Sequence, residues 1–175
     1  MKIAGFTFIR NAVKYDYPIK EAIQSILPLC DVVIVAVGNS DDDTLSLIES
    51  IQNPKIQIIH TVWDDQLREG GKVLSAETNK ALAAIGHDVD WAIYIQGDEV
   101  LHEDGYEEIQ EAMQRHQKDK NIDGLLLQYR HFYGSYDYVG TSAKWYKNEI
   151  RIFKPQHAVF SFGDAKVLEN NPMKN

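Results

Sequence analysis

Asp31-Val32-Val33-Ile34-Val35-Ala36-Val37 decides the fold. Its β-branched side chains favour an extended backbone. A near-continuous apolar run without polar alternation is what a strand covered on both faces requires, as in a parallel sheet. Immediately after it, residues 40–43 supply capping chemistry for a helix that carries Leu45, Ile48 and Ile51 at helical spacing. On the other side, residues 3–9 read as a buried strand, and Pro18 opens a helix with Ile19, Ala22, Ile23, Ile26 and Leu27 on one face. Downstream, residues 56–61 form a third strand, and a longer polar loop leads to a helix over about 72–85 whose buried stripe is Leu74, Ala81, Leu82 and Ile85. Residues 91–95 form a fourth strand, followed by a helix with Tyr106, Ile109, Met113 and His116 on one side. This alternation predicts an α/β fold: a mostly parallel sheet with right-handed crossovers and helices on both faces. Past residue 122 the pattern changes, and strands over 124–133 and 149–153 with no helix between them predict a small α+β extension.

The 175-residue length fits one domain, and 44% hydrophobic with 25% charged residues is an ordinary globular balance that excludes disorder, collagen and disulfide scaffolds. A net charge of −8 argues against a nucleic-acid partner, whose phosphates are bound through a Lys/Arg surplus. Any phosphate bound here needs a local cation. Cys30 is the sole cysteine, lies in an apolar stretch and reads as a buried, inert thiol in a reducing compartment. No apolar stretch approaches the ~20 residues of a membrane span, and the first residues do not form a signal peptide, so the expected location is cytoplasmic.

In open α/β sheets ligands sit beyond the carboxyl ends of the strands. Those ends carry Arg10-Asn11, then Asn39-Ser40-Asp41-Asp42-Asp43-Thr44, then Gln96-Gly97-Asp98-Glu99. In the last, an apolar strand gives way abruptly to a glycine and two carboxylates, which Mg2+ or Mn2+ would coordinate together with a diphosphate, while the glycine would let the backbone approach a ligand. A solvated turn uses the same residues. The acidic group at 41–43 gains from a helix dipole without any ligand. The rings Tyr129, Phe132, Tyr133, Tyr136, Tyr138, Trp145 and Tyr146 read as ordinary packing for the most part, with a sugar-stacking acceptor wall as the functional alternative. The histidines lack zinc-site spacing; His157 alone is noted as a late metal ligand.

Taken in order, these segments resemble glycosyltransferase family 2 of the bacterial type. Phe6-Thr7-Phe8-Ile9-Arg10-Asn11 is similar to that family's first nucleotide-contacting strand, and residues 39–44 resemble its Gly-Ser-Thr-Asp-x-Thr turn. Gly71-Lys72 with Asn79-Lys80-Ala81-Leu82 resembles its Gly-Lys…Asn-x-Ala-Leu segment, and Gln96-Gly97-Asp98-Glu99 stands where it carries Asp-x-Asp. Residues 145–154 resemble its late Arg-Leu-Phe-Arg strand. The resemblance covers residues 3 to about 165. It implies a three-layer GT-A nucleotide-diphospho-sugar transferase fold in a single domain over 1–168, with a nucleotide-sugar part at 1–100, an acceptor-side part at 122–168, and a polar tail or chain end at 169–175. It implies transfer of a sugar from a nucleoside-diphosphate sugar to the hydroxyl of a glycan or lipid-linked acceptor, inverting and dependent on Mn2+ or Mg2+, with a role in surface polysaccharide synthesis. Donor contacts fall on Thr7, Arg10, Asn11, Ser40, Asp42, Lys72, Asn79 and Gln96, and metal ligation on Asp98 and Glu99. Asp164 is the first candidate for the base that takes the acceptor proton, and Asp137 the second. Two departures stand out: Gln96 replaces the first Asp of Asp-x-Asp, and Val37-Gly38 replaces the acids that often read the base.

A nucleotidyltransferase can share this kind of core, but no Gly-rich phosphate loop follows the first strand. A non-catalytic or truncated nucleotide-sugar-binding module stays open.

Overall fold

The computed structural model describes residues 1–155, 159–162 and 167–170. The chain runs β1 (Ile3–Ile9), α1 (Ile19–Ile26), β2 (Val32–Val37), α2 (Thr44–Glu49), β3 (Ile56–His60), α3 (Lys72–Ala83), β4 (Trp91–Tyr94), α4 (Tyr106–His116), β5 (Gly124–Gln128), β6 (Phe132–Tyr133), β7 (Ser135–Val139), β8 (Asn148–Phe153), β9 (Val159–Phe162) and β10 (Val167–Asn170). A short 3-10 helix, Asp65–Gly71, leads into α3. The main sheet has six strands in the order β3-β2-β1-β4-β8-β5. Strands β1 to β4 pair parallel with one another, whereas β8 pairs antiparallel with both β4 and β5.

Side chains alternate across each central strand and build a core on each face. One face carries Ile3, Ile9, Val33, Val35, Trp91 and Ile93, covered by Ile19, Ile23 and Ile26 of α1, Ile48 of α2, and Ile109 and Met113 of α4. The other carries Ala4, Phe6, Phe8, Ile34, Ala36 and Tyr94, packed against Ala81 of α3 and Ile85 just beyond it. The run at 32–37 is apolar throughout because both of its faces are buried. Gly5 is required by this packing: a Cβ there would stand 2.7 Å from Ile26 Cδ1 and 3.0 Å from Cys30 Sγ. Burial pushes the Cys30 thiol up to about 12, which leaves it protonated and inert.

Helices α1 and α2 lie on one face and α3 on the other, so the strand order turns back between β1 and β4. Their carboxyl ends therefore diverge into a crevice. The α+β extension is real, but its strands go to three places. β5 and β8 complete the main sheet, while β6 with β7 and β9 with β10 form separate two-stranded ribbons. Phe132, Tyr133, Tyr136 and Tyr138 of the β6–β7 ribbon are exposed rather than packed as expected. The last ribbon strand reaches Asn170, beyond the point at 169 where a polar tail was expected. Among the described residues no helix is long and apolar enough to cross a membrane.

Candidate functional site

At the carboxyl ends of β1 and β4 lies a cleft of about 260 Å3. One wall is Phe8, Arg10, Trp63 and Leu74, and the other is Gln96, Gly97 and Asp98; Ile9 and Tyr17 complete the lining. Trp63 is the residue that sequence reasoning missed. It lies in the polar loop after β3, where a lone aromatic carries no periodic signal. Its amide donates to Asn39 Oδ1 at 3.2 Å, its ring meets Phe8 at 5.8 Å, and the Arg10 guanidinium stands 5.8 Å from its centroid. Gly38 makes room for it, since a Cβ at 38 would be 2.4 Å from Trp63 Nε1. Among the described residues, Trp63 Nε1 and Arg10 Nε are buried without partners. Arg10 Nη1 donates to Asp65 Oδ1 at 3.0 Å, which holds the cation at the cleft wall.

The turn at 96–99 forms the opposite wall. Asp98 is exposed as a residue, yet the cleft walls take water from around its carboxyl, and this together with the neighbouring Glu99 charge raises its pKa above the ordinary range. Among the described residues no cation pairs with it. Glu99, expected beside it as a metal ligand, is fully engaged elsewhere. Arg151 donates to it twice, Nε to Oε2 at 3.0 Å and Nη2 to Oε1 at 2.7 Å, and Tyr129 OH and the Gln96 amide add bonds at 2.9 and 3.1 Å. Metal ligation by Glu99 would forfeit these bonds. Gly97 lets the turn lie close against Ile9, since a Cβ there would stand 2.7 Å from Ile9 Cδ1 and the isoleucine would have to shift. Gln96 Nε2 donates to Tyr94 OH at 3.3 Å, which turns its amide toward the core. Burial pushes the Tyr94 phenol up to about 12, so it stays a neutral partner.

The other expected donor contacts fall in two groups. Thr7 is fully buried and does not line the cleft. Asn11, Ser40 and Asp42 fasten the loop after β1 to the loop after β2. Ser40 Oγ accepts from the Asn11 amide at 3.0 Å, and Asn11 Oδ1 accepts from the Asp41 amide at 2.9 Å. Asp42 accepts from the Lys14 amide at 2.8 Å and the Thr44 amide at 3.0 Å. Asn11 adopts φ 56, a left-handed conformation that asparagine tolerates better than most residues. Lys72 is exposed at the start of α3, outside the lining. Asn79 grips Ser161 of β9 at both ends of its amide, donating to the carbonyl at 3.0 Å and accepting from the N–H at 2.8 Å. The structure thus brings Arg10, Gln96 and Asp98 together in one cleft and leaves the rest around it. Asp137 lies on the exposed β7, hydrogen-bonded to Ser135, and is not part of the cleft lining. Asp164 and His157 lie outside the described residues, and among those described no group of three acidic, histidine or cysteine side chains is placed to hold a metal.

No protein-family model matches the sequence, and no curated protein matches it. Solved structures do share its fold. S. aureus TarS 1-349 in complex with UDP-GlcNAc aligns with a TM-score of 0.64 at 16% identity, covering 94% of this chain and 49% of that one. A longer S. aureus TarS chain aligns at 0.61 and 18%, covering 90% and 29%. The 4-diphosphocytidyl-2C-methyl-D-erythritol synthase of Anaerococcus prevotii aligns at 0.53 and 12%, covering 89% and 70%. The chain spans about half the length of TarS 1-349. At these identities the likeness establishes the fold, a mixed α/β, GT-A-like architecture with a mostly parallel six-stranded sheet.

Proposed function

We propose that this chain is the nucleotide-sugar-binding part of a glycosyltransferase that moves a sugar from a nucleoside-diphosphate sugar to an acceptor hydroxyl. The observation that carries the reading is the cleft at the divergence of β1 and β4, with an indole and a guanidinium on one wall and a lone carboxylate on the other. Trp63 offers a face on which a base stacks, and Arg10 supplies a local cation for phosphate within a chain of net charge −8. The UDP-GlcNAc in the TarS complex makes a uridine nucleotide the natural first ligand to test.

Asp98 is a single accessible carboxylate, which fits a cation carried in by the diphosphate better than a preformed cage. Mg2+ and Mn2+ are bound in this manner, by one or two carboxylates together with phosphate oxygens and water. When bound, the cation would neutralise charge on the departing diphosphate. The protein's own part is to stack the base at Trp63, to place the phosphates near Arg10, and to hold Asp98 across from them. In an inverting transfer a further carboxylate takes the acceptor proton, and Asp164 remains the candidate proposed for that step. The exposed rings of the β6–β7 ribbon suit an acceptor glycan.

Titration calorimetry with UDP, with and without Mn2+, tests the reading. Wild-type protein should bind UDP more tightly with Mn2+, and Asp98→Ala should abolish the metal-dependent part. Equal affinity with and without Mn2+ would reject the metal role, and no binding at all would reject the site. Since the described cleft contains no second free carboxylate, a module that binds the nucleotide without turning it over is the second reading, and it predicts UDP binding with no UDP-GlcNAc hydrolysis or transfer.

A further inference from the structure

Arg151 belongs to β8, whose register Ile93↔Ile152 places it beside Tyr94 on the neighbouring strand. Its side chain is 2% exposed and lies between two tyrosine rings, 5.1 Å from the Tyr94 centroid and 5.5 Å from that of Tyr129. From there the guanidinium makes its two-point contact with Glu99, the strongest geometry available to a carboxylate. The same carboxylate accepts from Tyr129, just past β5, and from the amide of Gln96 at the start of its own turn. One side chain therefore ties the turn at 96–99 to β8, to the end of β5 and to itself. A buried ion pair is weak evidence of stability, because desolvation offsets the attraction and a well-packed apolar pair serves as well or better. What this arrangement provides is a fixed geometry one residue away from Asp98.

We propose that Arg151 is a positioning residue of the cleft, which through Glu99 holds the turn at 96–99 so that a nucleoside diphosphate with its divalent cation meets Asp98 already in place. The proposal rests on the functional reading above for its ligand, though not for the clamp itself. It assigns Glu99 to fastening rather than to the metal, and it couples the strands of the α+β extension to the nucleotide cleft. Arg151 touches no substrate and acts only through Glu99.

Arg151→Met alone strands a buried carboxylate and can unfold the protein. The decisive variant is therefore the double substitution Glu99→Gln with Arg151→Met, which removes both charges together, alongside Arg151→Lys, which keeps the charge and loses the fork. Two measurements are made on the whole chain. In the ligand-free protein, amide hydrogen exchange at Gln96 should accelerate at least about 10-fold in the double variant while Ala92 and Ile93 of β4 stay protected. In calorimetry, UDP affinity with Mn2+ should fall about 10- to 100-fold, the usual cost of losing an outer-shell partner, while UDP affinity without metal stays unchanged; Arg151→Lys should fall between. Unchanged exchange at Gln96, or exchange raised equally throughout β4 and β8, overturns the clamp and leaves a merely structural role. Unchanged Mn2+-dependent affinity overturns its positioning function. A wild-type protein that binds no nucleotide overturns the functional reading, and the exchange measurement still decides the clamp.

Discussion

A methyl group at position 38 would lie 2.4 Å from Trp63 Nε1, so the indole owes its place to the absence of one carbon. The sequence at 37–38 stands out as a departure from an acidic base-reading pair, but what fills the space is visible only when the loop after β3 is laid against it. Gly38→Ala should displace Trp63 at a cost of about 1–3 kcal/mol, as overpacking does. Urea denaturation reads the stability, and loss of UDP-dependent quenching of tryptophan fluorescence reads the site; wild-type values of both would exonerate the glycine. The place of Asp98 at a strand end beside the cleft was legible in the switch from an apolar strand to Gly-Asp-Glu, whereas the bonding of Glu99 was not, because its partner Arg151 is 52 residues away and meets it only through strand register. Asp98 also carries a cost. Its pKa is raised in the folded state, so its contribution to stability is complete below the unfolded value of about 3.9 and is lost as pH rises through the folded value. Asp98→Asn should therefore raise the melting temperature near pH 7 while losing metal-dependent UDP binding, and the gain should vanish at about pH 3. A variant no more stable than wild type at pH 7 would contradict this.

At the scale of elements, the alternation of strand and helix through residue 116 was legible because each element buries an apolar stripe of its own period. The ribbons were less so. β6 and β7 bury little, and their rings follow no core-facing pattern, which is why packing was expected where exposure is found. β9 is held to α3 by a residue that looked like a donor contact: both ends of the Asn79 amide pair with the backbone of Ser161, 82 residues on, in addition to the pairing of β9 with β10. No local signal distinguishes an asparagine that binds a backbone from one that binds a ligand. Asn79→Ala should leave buried backbone groups of Ser161 unpaired and destabilise the β9–β10 ribbon locally by about 1–3 kcal/mol. Hydrogen exchange at the Ser161 amide should rise accordingly, with β1 and β2 unaffected. If Ser161 stays as protected as in the wild type, the ribbon is held by other contacts.

Across the whole molecule, the loop after β1, which starts at the cleft residue Arg10, is tied to the loop after β2 into one rim. Asp42 is central to that tie, accepting from the Lys14 and Thr44 amides and from the Thr44 hydroxyl at 2.5 Å. Burial raises its pKa, but the hydrogen bonds from Thr44 and from the backbone outweigh it, and the carboxyl ends below its ordinary value. A depressed folded pKa means that the stabilisation is present above the unfolded value of about 3.9 and is lost as pH falls through the folded one. Asp41, Asp88 and Asp119 are shifted the same way, so the wild-type protein should weaken in acid through several groups at once. Comparison with Asp42→Asn cancels that shared background. The variant should be less stable than wild type at about pH 7, where Asp42 is charged and fully bonded, and the difference should narrow from about pH 4 downward as the wild-type carboxyl takes up its proton. Urea midpoints of both proteins at about pH 7, 5 and 3 measure it. A gap that stays constant over that range would mean that Asp42 holds the rim by its shape alone, and that its charge contributes nothing to the joining of the two loops.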